Sequence, residues 1–282
     1  MPNCSIKQVS GNFNGQRNFN LFYKGYLPTR KPKAILLIVH GLAEHSSRYL
    51  NVVNHFVPRG YIVYGFDQRG HGQSEGIRGY VEKFTNYIDD LKTFSDIVRS
   101  RHPDEKLFLI GHSVGGTIAI AYSLRYQSEF NGLVLSGATL QPGTSISLVK
   151  IMLARFLSIV TPKVGVNTID ASTISQDQAV VDDYMNDPLV YHGKIRARLG
   201  AELINTMQTL PKRLPEFHLP ILIMSGTFDR LSNPDGSRLL YECVKSKDKT
   251  LRLYDGFYHE IFNEPGRDKV LSDMENWFAN HL

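Results

Sequence analysis

The chain has 282 residues, 42% of them hydrophobic, 21% charged and 11% aromatic, with a formal net charge of +5. That balance excludes a disordered tail, a collagen or coiled-coil rod and a multi-span membrane protein, and the length can bury about 75% of the unfolded surface with no disulfide or metal staple. The positive charge is local: Lys7, Arg17, Lys24, Arg30, Lys31 and Lys33 precede residue 34 with no acid among them, which describes a basic edge and excludes a nucleic-acid groove.

Taken in chain order, apolar runs alternate with stretches of helical length. Residues 34–39 read as a strand, 48–58 as a helix, 61–64 as a strand, 85–100 as a helix, 107–110 as a strand, 115–126 as a helix and 133–135 as a strand. The rhythm resumes with strands at 221–224 and 251–253 and helices at 235–244 and 267–281. Several strands are apolar on both faces, as buried parallel strands are. The alternation predicts an α/β architecture: a mostly parallel central sheet with helices on both faces.

Between Gly137 and His218 the rhythm breaks. No strand is predicted there, and helices are expected at 145–160 and 195–209. This insertion, framed by Pro142 and by Pro211, Pro215 and Pro220, divides the chain into a core of residues 1–138 and 217–282 and an inserted segment of 139–216. No apolar run reaches the ~18 residues of a membrane span, and the N-terminus has no apolar signal-peptide core. Cys4 and Cys243 are too far apart in sequence for a zinc motif. A cytoplasmic, reducing compartment is expected.

Gly111-His112-Ser113-Val114-Gly115-Gly116 follows one predicted strand and opens a helix. A serine on so tight a turn projects its hydroxyl above the sheet, small neighbours let the backbone pass, and the helix N-terminus offers N–H groups to a developing oxyanion. Among ten histidines, His259 stands out, because it lies six residues past the end of the last predicted strand. His40 and His71 read as structural hydrogen-bonders. Asp229 follows the strand at 221–224 and is the expected orienting acid, with Asp255 and Asp235 as alternatives. The order Ser113, Asp229, His259 matches that of an α/β-hydrolase triad. Val114, directly after the serine, and Leu42, after the first predicted strand, are the expected oxyanion N–H donors.

Together, His40-Gly-Leu-Ala-Glu-His-Ser-Ser-Arg-Tyr49, Phe66-Asp-Gln-Arg-Gly-His-Gly-Gln-Ser-Glu-Gly76 and the Ser113 turn resemble monoacylglycerol lipases of the α/β-hydrolase fold. The resemblance extends through Asp187-Pro188-Leu189 in the insertion to Gly226-Thr-Phe-Asp-Arg230 and Tyr258-His259. It implies that the insertion is a helical cap, or lid, over an acyl tunnel. It also implies that Glu44, Arg48 and Tyr184 lie at the polar end, where a glycerol head would sit. Ala43 stands where relatives often carry Gly, which should stiffen the oxyanion loop. Ser232 replaces a reactive Cys of some relatives, and Phe262 replaces a second polar His.

Residues 145–160, SISLVKIMLARFLSIV, place Leu148, Val149, Met152, Phe156, Ile159 and Val160 on one helical face, widened by Ile146, Leu153 and Leu157. A helix this apolar is ordinarily buried core; beside a lipid site it would instead suit transient contact with a membrane surface. The expected reaction is hydrolysis of a long-chain lipid ester, with no metal and no cofactor. A lysophospholipase or general carboxylesterase on the same scaffold is the near alternative. A non-catalytic lipid-binding protein is the alternative from another class.

Overall fold

The computed structural model describes residues 6–141 and 148–282, with only the backbone described at 148–151, 153 and 154. Cys4, Pro142, Ile146 and the start of the predicted 145–160 helix lie outside the described residues, as do the side chains of Leu148, Val149 and Leu153.

The chain opens with β1 (Lys7–Asn14) and β2 (Asn20–Leu27), an antiparallel pair. Next come β3 (Ala34–Val39), the short α1 (Leu50–Phe56), β4 (Tyr61–Phe66), α2 (Thr85–Arg101), β5 (Lys106–His112), α3 (Val114–Tyr126) and β6 (Gly132–Ser136). The insertion holds α4 (Leu148–Val160), β7 (Gly165–Asn167), α5 (Gln178–Asn186), β8 (Ile195–Arg196) and α6 (Ala197–Thr209). The chain closes with β9 (Ile221–Gly226), α7 (Pro234–Cys243), β10 (Lys249–Tyr254) and α8 (Arg267–Ala279).

Eight strands form one sheet in the order β1-β2-β4-β3-β5-β6-β9-β10. The six strands from β4 to β10 are parallel, and β2 joins β4 antiparallel. Side-chain alternation divides the core in two. Ile35, Leu37 and Val39 of β3 pack with Leu91 and Phe94 of α2 and Ile118 and Tyr122 of α3. Ala34, Leu36 and Ile38 face the other way, onto Val52 and Phe56 of α1 and Met274 and Phe278 of α8. Buried on both faces, these strands cannot alternate polar with apolar, so they appear as continuous apolar runs.

The structure departs from expectation in three places. The N-terminal hairpin β1–β2 was not predicted, because its chain carries Gly, Asn and Ser where a buried strand would be uniformly apolar. The insertion is not free of strand: β7 and β8 pair antiparallel. Ile195 and Arg196 thus belong to a strand, and the helix predicted from 195 begins at Ala197. Helix α5 was also not predicted; Asp177 caps it by accepting the Ala179 N–H at 3.0 Å.

Where its side chains are described, the predicted apolar face of α4 meets solvent and not core. Met152 is 70% exposed, Phe156 62%, Ile159 79% and Val160 60%. Helix α4 lies along α6, whose Leu199 and Leu203 are buried in the main core, so among the described residues these four side chains are left without a partner. No helix among the described residues is long and apolar enough to cross a membrane.

Candidate active site

Ser113 follows β5 with φ 55° and ψ −124°, a conformation that costs a non-glycine residue about 1–3 kcal/mol. Its surroundings fix it there. Ser113 N–H donates to Ser136 O at 2.9 Å, and Ser113 O accepts the N–H groups of Gly116 at 3.0 Å and Thr139 at 3.1 Å. Position 115 must be glycine: a Cβ there would lie 2.1 Å from Val39 O and 2.3 Å from His40 O. That close approach seats the N-terminus of α3 on the end of β3.

Asp229 follows β9 and His259 follows β10, so both rise from the same sheet edge as Ser113. His259 Nδ1 lies 2.7 Å from Asp229 Oδ2, and both side chains are buried. Asp229 Oδ1 accepts the N–H groups of Leu231 at 2.9 Å and Ser232 at 2.8 Å, which orients the carboxylate. With Nδ1–H given to Asp229, Nε2 is the nitrogen left for a hydroxyl. Burial pulls the imidazole pKa down, but the Asp229 carboxylate, backed by Glu260 and Glu44, outweighs it and holds the pKa above 6.5. Gly137 closes the triangle: a Cβ there would sit 3.1 Å from Asp229 Oδ2 and 3.2 Å from His259 Nδ1.

Ser113 Oγ itself lies 3.4 Å from Thr139 Oγ1, which is 2.8 Å from Ser232 Oγ. The imidazole–carboxylate half of the predicted triad is therefore made, while the hydroxyl rests against Thr139. Serine–histidine bonds often tighten only with substrate bound. Of the alternative acids, Asp255 accepts from Thr227 Oγ1 at 3.1 Å, and Asp235 lies exposed in the first turn of α7.

The loop after β3 brings Leu42 to the same rim, beside Gly41, whose Cβ position is 3.1 Å from Ser113 Cβ. Among the described residues, the N–H groups of Leu42 and Val114 donate to no protein acceptor. His40 holds this loop from below. Gln68 N–H donates to its Nε2 at 2.9 Å, so its proton is on Nδ1, which donates to Gly41 O at 2.7 Å. Burial, then the neighbouring His71, keeps His40 neutral, well below the usual histidine range. Ala43 has φ 68°, a left-handed residue where glycine would be unstrained.

Glu44, Arg48 and Tyr184 do meet. Arg48 Nε lies 3.5 Å from Glu44 Oε2, and its guanidinium is 4.7 Å from the Tyr184 ring centre. Glu44 Oε1 accepts Gly41 N–H at 2.6 Å and Tyr49 O–H at 2.7 Å. The strongest partner of Arg48 was missed: Glu260 takes Nη2 at 2.9 and 2.7 Å. Its place directly after His259 was the available signal. Burial first, and then the Glu260 carboxylate, push Glu44 up to about 7 against the pull of Arg48. Glu44, Arg48 and Glu260, with Tyr49, His112, Phe262 and Asn263, line a small pocket. Among the described residues, no group of three or more His, Cys, Asp or Glu is arranged to hold a metal ion.

A family model described as serine aminopeptidase, S33 (Hydrolase_4) matches residues 30–266. The chain is 37% identical over 270 residues to a monoacylglycerol lipase of Mycolicibacterium smegmatis, covering 96% of each. It is 35% identical over 262 residues to the monoglyceride lipase of Homo sapiens, covering 92% of this chain and 86% of that one. Among solved structures, a monoacylglycerol lipase from Paleococcus ferrophilus superposes with a TM-score of 0.82 at 29% identity, covering 99% of this chain and 100% of that one. A soluble variant of Saccharomyces cerevisiae monoglyceride lipase with a substrate analogue gives 0.87 at 23% identity over 100% and 97%, a likeness of fold.

Proposed function

The chain belongs to the serine aminopeptidase S33 family, as a monoacylglycerol lipase-like α/β hydrolase, and on that premise we propose that it hydrolyses monoacylglycerols to fatty acid and glycerol through an acyl-serine intermediate. The observation that carries this reading is the buried His259–Asp229 pair at 2.7 Å beside the strained Ser113 turn.

In this mechanism Ser113 Oγ attacks the ester carbonyl and gives its proton to His259 Nε2. Asp229 holds the imidazole and stabilises its charge. The N–H groups of Leu42 and Val114 bind the oxyanion, each worth about 3 kcal/mol of barrier. His259 then protonates the leaving alcohol and activates the water that releases the fatty acid.

The insertion, residues 139–216, acts as a cap. It leaves the sheet from the C-terminal end of β6, the edge that also carries Ser113, Asp229 and His259. The exposed face of Met152, Phe156, Ile159 and Val160 contacts a membrane surface and takes substrate from it, which makes the protein a peripheral visitor to membranes from the cytoplasm.

Glu44, Arg48 and Tyr184 face the glycerol head. Charge favours glycerol over a phosphate-bearing head: the Arg48 guanidinium is matched by two carboxylates, so among the described residues the pocket offers no free cation to a phosphodiester. A panel of purified lipid esters tests the proposal. Long-chain monoacylglycerols should be preferred to lysophospholipids and acetyl esters, and Ser113→Ala should abolish turnover with the fold intact. Near-full activity of that variant would overturn the assignment. Failure of a fluorophosphonate to label Ser113 would favour the non-catalytic alternative.

A further inference from the structure

The insertion meets the core at the two loops that carry the reaction. Tyr191 N–H donates to Ala43 O at 2.8 Å, directly after Leu42. Two residues on, His45 Nε2 lies 2.8 Å from Asp187 Oδ2. His45 Nδ1 accepts the Ser47 N–H at 3.3 Å, so the proton is on Nε2 and is donated to Asp187. Asp187 Oδ1 accepts the Leu189 N–H at 2.8 Å, so both oxygens of the carboxylate are engaged.

The other end of the same segment holds the loop of His259. Glu260 N–H donates to Ile174 O at 2.8 Å. The buried Glu264 accepts Gln176 N–H and Gln176 Nε2, both at 2.8 Å. Between these two attachments, Ile174, Val181, Tyr184 and Val190 form a small apolar core of their own. The loop being held is one that would not keep its shape alone. Ala43 sits at φ 68°, and such a residue persists only where its surroundings over-determine it.

We propose that residues 174–191 are a brace that sets the geometry of both catalytic loops, with Asp187 a positioning residue for the oxyanion loop, acting through His45 and never touching substrate. The insertion then has two parts with separate duties: α4 faces lipid, and the brace holds the chemistry. The proposal rests on the roles given above to Ser113 and Leu42.

The test uses p-nitrophenyl butyrate, an ester too short to need the cap for binding. A misplacement of about 1 Å can cost up to ~100-fold in rate, so Asp187→Ala should lower kcat about tenfold or more while KM stays within about twofold. His45→Ala should do the same, and His45→Gln, which keeps an N–H donor, should recover most of the loss. Because the two side chains share one bond, the double variant should be no slower than the worse single variant. Asp183→Asn, which removes an exposed carboxylate from α5, the helix that ends just before Asp187, is the matched control and should not change kcat. If Asp187→Ala keeps kcat within twofold, or if the two losses multiply, the brace is wrong. Should Asp187→Ala fail to fold, the His45→Ala and His45→Gln pair carries the same comparison. Failure of the parent reading is separate, since it would appear as turnover by Ser113→Ala.

Discussion

Arg48→Met removes the cation that pairs with two carboxylates in a buried cluster. The Arg48 side chain is 9% exposed and spans both Glu260 oxygens at 2.9 and 2.7 Å, with Glu44 at 3.5 Å. Breaking a buried pair by deleting one partner costs about 3–5 kcal/mol, because the remaining charge is left uncompensated. Unfolding entropy near 2.1 cal/mol/K per residue, over 282 residues, is about 0.6 kcal/mol/K. The expected fall in Tm is therefore about 5–8 °C. The loss should depend on pH with a definite sign. Glu44 is raised from 4.5 to about 7 in the folded protein, by burial first and Glu260 next. Its contribution to stability is thus fully present below pH 4.5 and is lost as pH rises through about 7. Without Arg48 the shift grows, and each further unit costs about 1.4 kcal/mol above that range. Calorimetry should show a larger deficit at pH 8.5 than at pH 5.5, and Arg48→Met with Glu260→Met should recover part of it. A fall under about 2 °C, or an equal fall at both pH values, would refute the reasoning.

Asp229→Asn should lower kcat by about 10⁴ with KM little changed, since the amide can no longer orient and stabilise His259 as the carboxylate does; steady-state kinetics on a soluble ester would reveal a smaller loss and displace Asp229. Ala43→Val places a β-branched side chain at φ 68° and should cost about 2 kcal/mol and slow turnover, whereas Ala43→Gly should not destabilise; equal melting temperatures for the two would remove the strain argument. Replacing Phe156 and Ile159 together by Ser takes two exposed apolar side chains from the α4 face. Each is worth about 1.5–3 kcal/mol when buried, so co-sedimentation with lipid vesicles should fall at least tenfold, and unchanged sedimentation would exclude this face as the contact.

Much of the architecture was legible in the chain because the forces that made it are local. The runs at 34–39 and 221–224 are continuously apolar because both faces of a parallel strand are covered. The Ser113 turn declares itself through glycines that the steric approach to Val39 and His40 requires. The pairing of Asp229 with His259 is expected from a rule of chain order and from their places just past strand ends. The β1–β2 hairpin was hidden, because its stability comes from cross-strand pairing and from one buried face holding Phe13, Leu21 and Tyr23, while Ser10, Gly11 and Asn12 interrupt the apolar residues of β1. The exposure of α4 could not be read either: an apolar helix has the same sequence whether its partner is core or lipid, and only the packing along α6 leaves Met152, Phe156 and Ile159 uncovered. Tertiary structure alone decided the pairings of Arg48 with Glu260 and of His45 with Asp187, which are 212 and 142 residues apart in the chain. A charged side chain carries no mark of its partner. What selects one is the cost of burying it alone, and that cost exists only once the fold has closed.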